Sequence, residues 1–223
     1  MTPKTIHLNK LLKMFQLSER HLTSALRGEL RTERDKLAGL KEGGGDFYGP
    51  FWADAKLHVR GIIDLRVQTV ARIHASKQRE QLYPRLTAGF LAWFDELKRR
   101  TNKRVGWHEA RVHNHYPFPD LDLTVKVDNL LALRIGDDAF RLVYPYFAKE
   151  PMLSERWARV GLWAMGEALF EFSLTDMEIL DVLRGRSFRG SRIFLKGDEE
   201  ALFARRYAEV IRQWDDLRAE YDL

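Results

Sequence analysis

Tyr144 and Tyr146, in the run Leu142-Val143-Tyr144-Pro145-Tyr146, and Asp128 ahead of them are the residues whose types and spacing most need a chemical account. Along a strand, a spacing of two puts both phenols on the same face. A phenol with a pKa of about 10 does not ligate Mg²⁺ at neutral pH, and one carboxylate holds a hard divalent cation weakly. On its own, Asp128 reads as an internal partner for the backbone, for Lys126 or for a nearby arginine. A second grouping is His108, Glu109, His113 and His115, within eight residues. Its His-x-His part presents both imidazoles to one side of a strand, a spacing zinc can use, but no third ligand is evident. The chain has no Gly-x-Ser-x-Gly elbow, no P-loop and no Gly-x-Gly-x-x-Gly after a strand, so no nucleotide cofactor is indicated.

Charge offers a different kind of chemistry. The net charge is +5, gathered into two clusters. Lys98, Arg99 and Arg100, with Lys103 and Arg104, form one. Arg184, Arg186, Arg189 and Arg192, with Lys196, form the other. Such clusters suit nucleic acid, although charge at a helix end also serves solvation and the helix dipole. The chain has no cysteine, which removes disulfides and thiolate metal sites and fits a reducing cytoplasm. No secretory signal is visible at the start, and no apolar run approaches the roughly 18 residues of a membrane span. No membrane partner is expected.

These residues need elements to position them. With 45% hydrophobic residues and 13 Phe, 7 Tyr and 6 Trp, the 223-residue chain has ample material for a core. Leu8, Leu11, Leu12 and Phe15 predict a helix, and Ser18 caps a second carrying Leu22, Leu26, Leu30, Leu37 and Leu40. Gly43-Gly44-Gly45 reads as a linker. Phe47, Tyr48, Phe51 and Trp52 read as an aromatic plug, followed by one helical run through Val59, Ile63, Val67, Val70 and Ile73. Tyr83-Pro84 opens a helix with Leu86, Phe90, Trp93, Phe94 and Leu97 facing inward.

From Val105 the period changes. Leu121, Leu123, Val125 and Val127 alternate with polar residues as a strand, and Asp128 follows in it. Tyr116-Pro117-Phe118-Pro119 reads as an irregular connection, and Gly136-Asp137-Asp138 as a hairpin turn before a strand through residues 140–147. Ser154 caps a helix, and residues 177–183 form a compact apolar strand. A helix between two strands of one sheet implies a right-handed parallel crossover. Asp198, Glu199 and Glu200 open a C-terminal helix, as its macrodipole favours.

The order of elements over residues 86–188 resembles the PD-(D/E)XK nuclease superfamily, particularly its RecB- and Cas4-like members. The resemblance implies a core of helix, three strands, helix and strand. It makes Asp128 the counterpart of the first metal-binding aspartate. It puts Tyr144 and Tyr146 where an acid-x-lysine pair stands in active members, and Arg159 and Trp163 near a Gln and a Tyr that neither matches. Glu109 would answer to the acid that such enzymes carry ahead of the strands, and Lys149 to a migrated lysine. Phosphodiester cleavage of that kind needs a hard divalent ion between carboxylates and a lysine that balances phosphate charge.

The expectation is thus an α/β protein with a mixed-sheet helix-strand-strand-strand-helix-strand core. Residues 1–104 form a helical region, 105–196 the sheet core and 197–223 a C-terminal helix, in one compact unit. The resemblance implies a catalytically degenerate protein acting as a nucleic-acid-binding or protein-assembly subunit, with no firm cofactor. One alternative is an active nuclease using Asp128, Glu109 and Lys149 with Mg²⁺ or Mn²⁺. Another is a homodimer formed through the leucine stripe of residues 22–40.

Overall fold

In the computed structural model, which describes residues 4–40, 46–109, 112–137 and 139–221, most of the periodic apolar stripes become helices. The Gly43-Gly44-Gly45 linker and Asp138 of the expected hairpin turn lie outside the described residues. Helix α1 (Leu8–Phe15) buries Leu8, Leu11, Leu12 and Phe15. Helix α2 (Glu19–Leu37) starts after Ser18, whose hydroxyl meets His21 Nδ1 at 2.9 Å instead of capping a backbone N–H. Its stripe is only partly buried. Leu22, Leu26 and Leu30 pack into the core, whereas Leu37 and Leu40 are 73% and 79% exposed.

The helical run expected through Val59 and Ile73 is two helices, α3 (Tyr48–Val59) and α4 (Leu65–Ala75). Gly61, at φ +73°, turns the chain, and Asp64 caps α4 by accepting from the N–H groups of Arg66 and Val67 at 2.8 and 3.1 Å. Val67 and Val70 consequently face outward. The aromatic plug forms as expected: Phe51 and Trp52 are buried, and the Tyr83 hydroxyl donates to the Phe47 carbonyl at 2.9 Å. Helix α5 (Tyr83–Thr101) carries Pro84 in its first turn and buries Leu86, Phe90, Trp93, Phe94 and Leu97.

Among the described residues, eight strands form two sheets. The larger contains, in spatial order, β2 (Val105–Trp107), β5 (Leu131–Ile135), β6 (Ala139–Tyr146), β7 (Met177–Asp181) and β8 (Arg186–Arg189). β5 and β6 pair antiparallel, while β6 and β7 pair in parallel across helix α6 (Glu155–Ala168). The smaller sheet has β4 (Leu123–Val127) between β1 (Lys4–His7) and β3 (Asn114–Phe118). β1 joins β4 in parallel and β3 joins it antiparallel. Of residues 116–119, expected to be irregular, 116–118 thus belong to an edge strand, where Pro117 lacks a ladder N–H at little cost. Leu121 belongs to a 3₁₀ turn rather than to β4.

Asp128 is also moved by the structure. It lies outside any strand, in the link between β4 and β5, where the chain leaves one sheet for the other. Asn129 makes the change of direction at φ +59°, a left-handed conformation that asparagine tolerates.

Alternation along the large sheet divides the apolar residues into two layers. Leu142, Tyr144, Tyr146 and Ile179 face a core shared with α1, α2, α6 and helix α7 (Glu199–Arg218). Leu131, Leu133, Val143 and Leu180 face a second core, built by α3 and α5. The expected α/β class with a mixed sheet and a C-terminal helix holds. No helix among the described residues is long and apolar enough to cross a membrane.

Candidate functional site

The register of β1 on β4 sets His7 beside Lys126, and both reach the carboxylate just beyond the end of β4. His7 Nδ1 lies 3.0 Å from Asp128 Oδ1, and Lys126 Nζ lies 3.2 Å from Asp128 Oδ2. Both oxygens of Asp128 are therefore engaged. The turn that presents it is anchored from the opposite side, because the Trp52 indole N–H donates to the Asn129 carbonyl at 2.5 Å.

Tyr144 stands in the same pocket, and its hydroxyl accepts from the backbone N–H of Asn9 at 2.8 Å. The Asn9 side chain accepts from the Phe147 N–H at 3.0 Å, so the first turn of α1 is stitched to the end of β6. Tyr146 is fully buried; its hydroxyl donates to the Pro151 carbonyl at 2.8 Å and faces Gln16 Nε2 at 3.3 Å. Burial raises the pKa of both phenols, and the Asp128 charge raises that of Tyr144 further, so both stay neutral.

Two adjoining cavities open at this point. One, of about 340 Å³, is lined by His7, Asn9, Tyr48, Lys56, Asp128 and Tyr144, among others. The second, of about 680 Å³, is lined by Lys56, Arg60, Trp107, His113, His115 and Lys126, among others. Lys56, Ala53, Asp128 and Asn129 border both, so the two make one groove. Its opposite walls are α3 and the smaller sheet. Arg60 lies over the Trp107 ring at 5.8 Å. Against these cations stand Asp128 and Asp46, and Asp46 is engaged by the N–H groups of Tyr48 and Gly49 at 3.0 and 2.8 Å.

Lys56 is the electrostatic outlier. Burial lowers its pKa to about 8, with Asp128 opposing the shift. The unfolded chain therefore binds more protons than the folded one between about pH 8 and the ordinary value of 10.5. The cost is present in full below pH 8, and stability rises with pH across that window. Replacing Lys56 with methionine should raise stability at pH 7 by on the order of 1–3 kcal/mol, because an unpaired amine no longer has to be desolvated. Urea unfolding at pH 7 and pH 10 checks this: the gain should shrink at the higher pH.

The other residues singled out by sequence lie apart from this groove. Glu109 and Lys149 are exposed and line neither cavity, and the Lys149 carbonyl accepts from Arg184 at 2.5 Å. The cluster at the end of α5 is largely paired: Lys98 with Asp95 at 2.7 Å, and both Arg99 and Arg100 with Glu96. In the second cluster, Arg184 bonds Asp181 and Glu150 and the Ala148 carbonyl. Arg189 pairs at 3.3 Å with the buried Glu178, and Arg186 lies over the Phe188 ring at 4.7 Å. Arg192 borders a separate cavity near Arg159. Arg184 and Arg189 are thus internal ties, which corrects their reading as a free cationic surface. Strand β8 sets Arg189 opposite the buried Glu178 of β7, and the turn before β8 brings Arg184 back onto Asp181, three residues earlier.

Of the histidine group, His113 and His115 line the larger cavity and the His108 ring packs edge-on against Phe140. Among the described residues, no three His, Asp or Glu side chains are gathered where they could hold a metal ion. The donors beside Asp128 do not suit Mg²⁺ or Mn²⁺: the neighbouring strand offers a neutral phenol, and the His7 ring and the Lys126 ammonium already occupy both oxygens of the carboxylate.

Sequence reasoning missed His7, Asn9, Lys56 and Arg60. The one available signal was Lys56 itself, a lysine among buried aromatic neighbours on α3. Compared with family models, with curated proteins and with solved structures, the chain matches none.

Proposed function

We propose that this protein is a catalytically degenerate relative of the PD-(D/E)XK nucleases that binds a nucleic acid strand, without hydrolysing it, in the groove beside Asp128. The observation that carries this reading is the exchange of function at one corner of the sheet. Tyr144 fills the position where the resemblance calls for a carboxylate, and the cavity in front of it, lined also by His7 and Lys56, adjoins one bordered by Arg60, Lys126, His113 and His115. The order of elements adds support once β5 takes the place of the expected strand of residues 121–128, which lies in the smaller sheet: α5 precedes three strands of the large sheet (β2, β5 and β6), and α6 and β7 follow them. The segment bearing β3 and β4 is inserted between β2 and β5.

A strand in this groove would set its phosphates against Arg60 and Lys126, with Trp107 beside them for stacking. The homodimer alternative has less support, because Leu22, Leu26 and Leu30 are already used within the protein's own core.

Fluorescence anisotropy with labelled single- and double-stranded oligonucleotides tests the reading. The doubly reversed variant Arg60→Glu/Lys126→Glu should bind about tenfold or more weakly, and its log–log salt slope should fall by roughly 1.5–2. Affinity indifferent to salt and to both reversals would remove the nucleic-acid reading. Incubation with Mg²⁺ or Mn²⁺ should leave the strands intact; cleavage that disappears in Asp128→Ala would show a working nuclease instead.

A further inference from the structure

Lys56 has an unusual position for a lysine. It lies on α3, four residues after Trp52, between the buried residues Ala55 and Val59, and it borders both cavities of the groove. Among the described side chains it is the one lysine that is neither exposed nor held by an ion pair or hydrogen bond. Asp128, whose charge acts on it, already has His7 and Lys126 on its two oxygens. An unpaired, half-buried amine costs stability, and chemistry is the common use of such a group.

Building on the strand-binding reading, we propose that Lys56 captures abasic nucleic acid by forming a Schiff base with the C1′ aldehyde of the ring-opened deoxyribose. The chemistry needs no metal and no oxidant. The Nζ lone pair attacks C1′ to give a carbinolamine, whose hydroxyl then leaves as water, carrying the carbonyl oxygen away. The two protons lost by the neutral amine balance that water, and a C=N bond remains. The departing hydroxyl needs a proton, which the His7 ring, lining the same cavity, is placed to deliver.

The choice of ligand follows from the groove. An intact nucleotide has no carbonyl at C1′, so only a lesion reacts. An abasic nucleotide within a strand also carries a phosphate on each side of its aldehyde, matching an amine flanked by Lys126 and Arg60. The lowered basicity of Lys56 leaves roughly a fifth of it neutral near pH 7.4, against about a thousandth for an ordinary lysine.

The test is borohydride trapping, which reduces the imine to a stable secondary amine. The full chain is mixed with an oligonucleotide carrying one abasic site, with the same strand undamaged, and with free deoxyribose 5-phosphate at equal concentration. A one-to-one adduct with the abasic strand alone is expected, mapped by peptide mass spectrometry to Lys56. It should form faster as pH rises from 7 to 8.5 and fall at least tenfold in Lys56→Arg, whose folding is checked by its melting curve. Adducts spread over the exposed lysines, or unchanged in Lys56→Arg, would overturn the inference. Equal trapping of the free sugar phosphate would overturn it too, since the strand would then contribute nothing. Anisotropy with the undamaged strand runs in parallel: binding without trapping ends this inference alone, whereas loss of both ends the strand-binding reading as well.

Discussion

Glu178→Ala should destabilise the protein by about 3–5 kcal/mol, enough to unfold a domain of ordinary stability near physiological temperature. Glu178 is fully buried, and three groups converge on it. The Trp93 indole donates at 2.7 Å, Arg141 Nη1 lies at 3.1 Å and Arg189 Nε at 3.3 Å. The register explains the meeting: Glu178 stands opposite Arg189 on β8 and opposite Val143 on β6, two residues from Arg141. One carboxylate thus ties three strands to α5. Alanine would leave two poorly hydrated guanidinium groups with no counter-charge, a cost larger than the worth of the intact pair. Glu178→Gln keeps an acceptor for the indole and should lose less. Urea unfolding of both variants decides, and a loss below 1 kcal/mol for the alanine would mean that water reaches the two arginines.

The second large effect is Gly89→Ala, and here general helix propensity gives the wrong sign. Alanine is favoured over glycine inside a helix by about 1 kcal/mol. At residue 89, however, a Cβ would stand 2.1 Å from the Val182 carbonyl oxygen and 3.0 Å from Leu183 backbone atoms. Neither neighbour is a flexible side-chain end. The opposing turn is equally tight, because Gly185, at φ +60°, would put its own Cβ 2.6 Å from the Gly89 carbonyl. Helix α5 must therefore move off the end of β7, with a loss of on the order of 2–4 kcal/mol. Gly28→Ala is the matched control, since nothing lies within 4 Å of a Cβ there and a gain of about 0.5–1 kcal/mol is expected. Thermal melts of the two variants should shift in opposite directions. A shift of the same sign in both would remove the steric account.

How much of this the sequence made legible depended on the length and purity of the local pattern. Helices α1, α5 and α6 and strand β4 carry uninterrupted apolar periods, and they form close to where those periods predict. Strand β1 is four residues with no pattern of its own, and it exists because β4 offers it a parallel edge. Strand β3 hides behind Pro117 and an exposed face, and β8 behind arginines whose acidic partners lie on another strand. The break between α3 and α4 depends on Gly61 and the Asp64 cap, which override a plausible valine and isoleucine stripe. At the site, Asp128 and Tyr144 were legible because the link that enters β5 and strand β6 lie close together in the sequence. The His7 contact joins residues 121 positions apart, and no local period encodes it.

The position of the groove gives one more consequence. One wall, α3, belongs to the apolar layer on the α5 side of the large sheet, and the other, with β1 and β4, to the layer shared with α6 and α7. Whatever occupies the groove would therefore also clamp together two halves whose hydrophobic interiors do not merge. Its binding energy would then be felt as rigidity on both sides of the sheet, far from the atoms it touches.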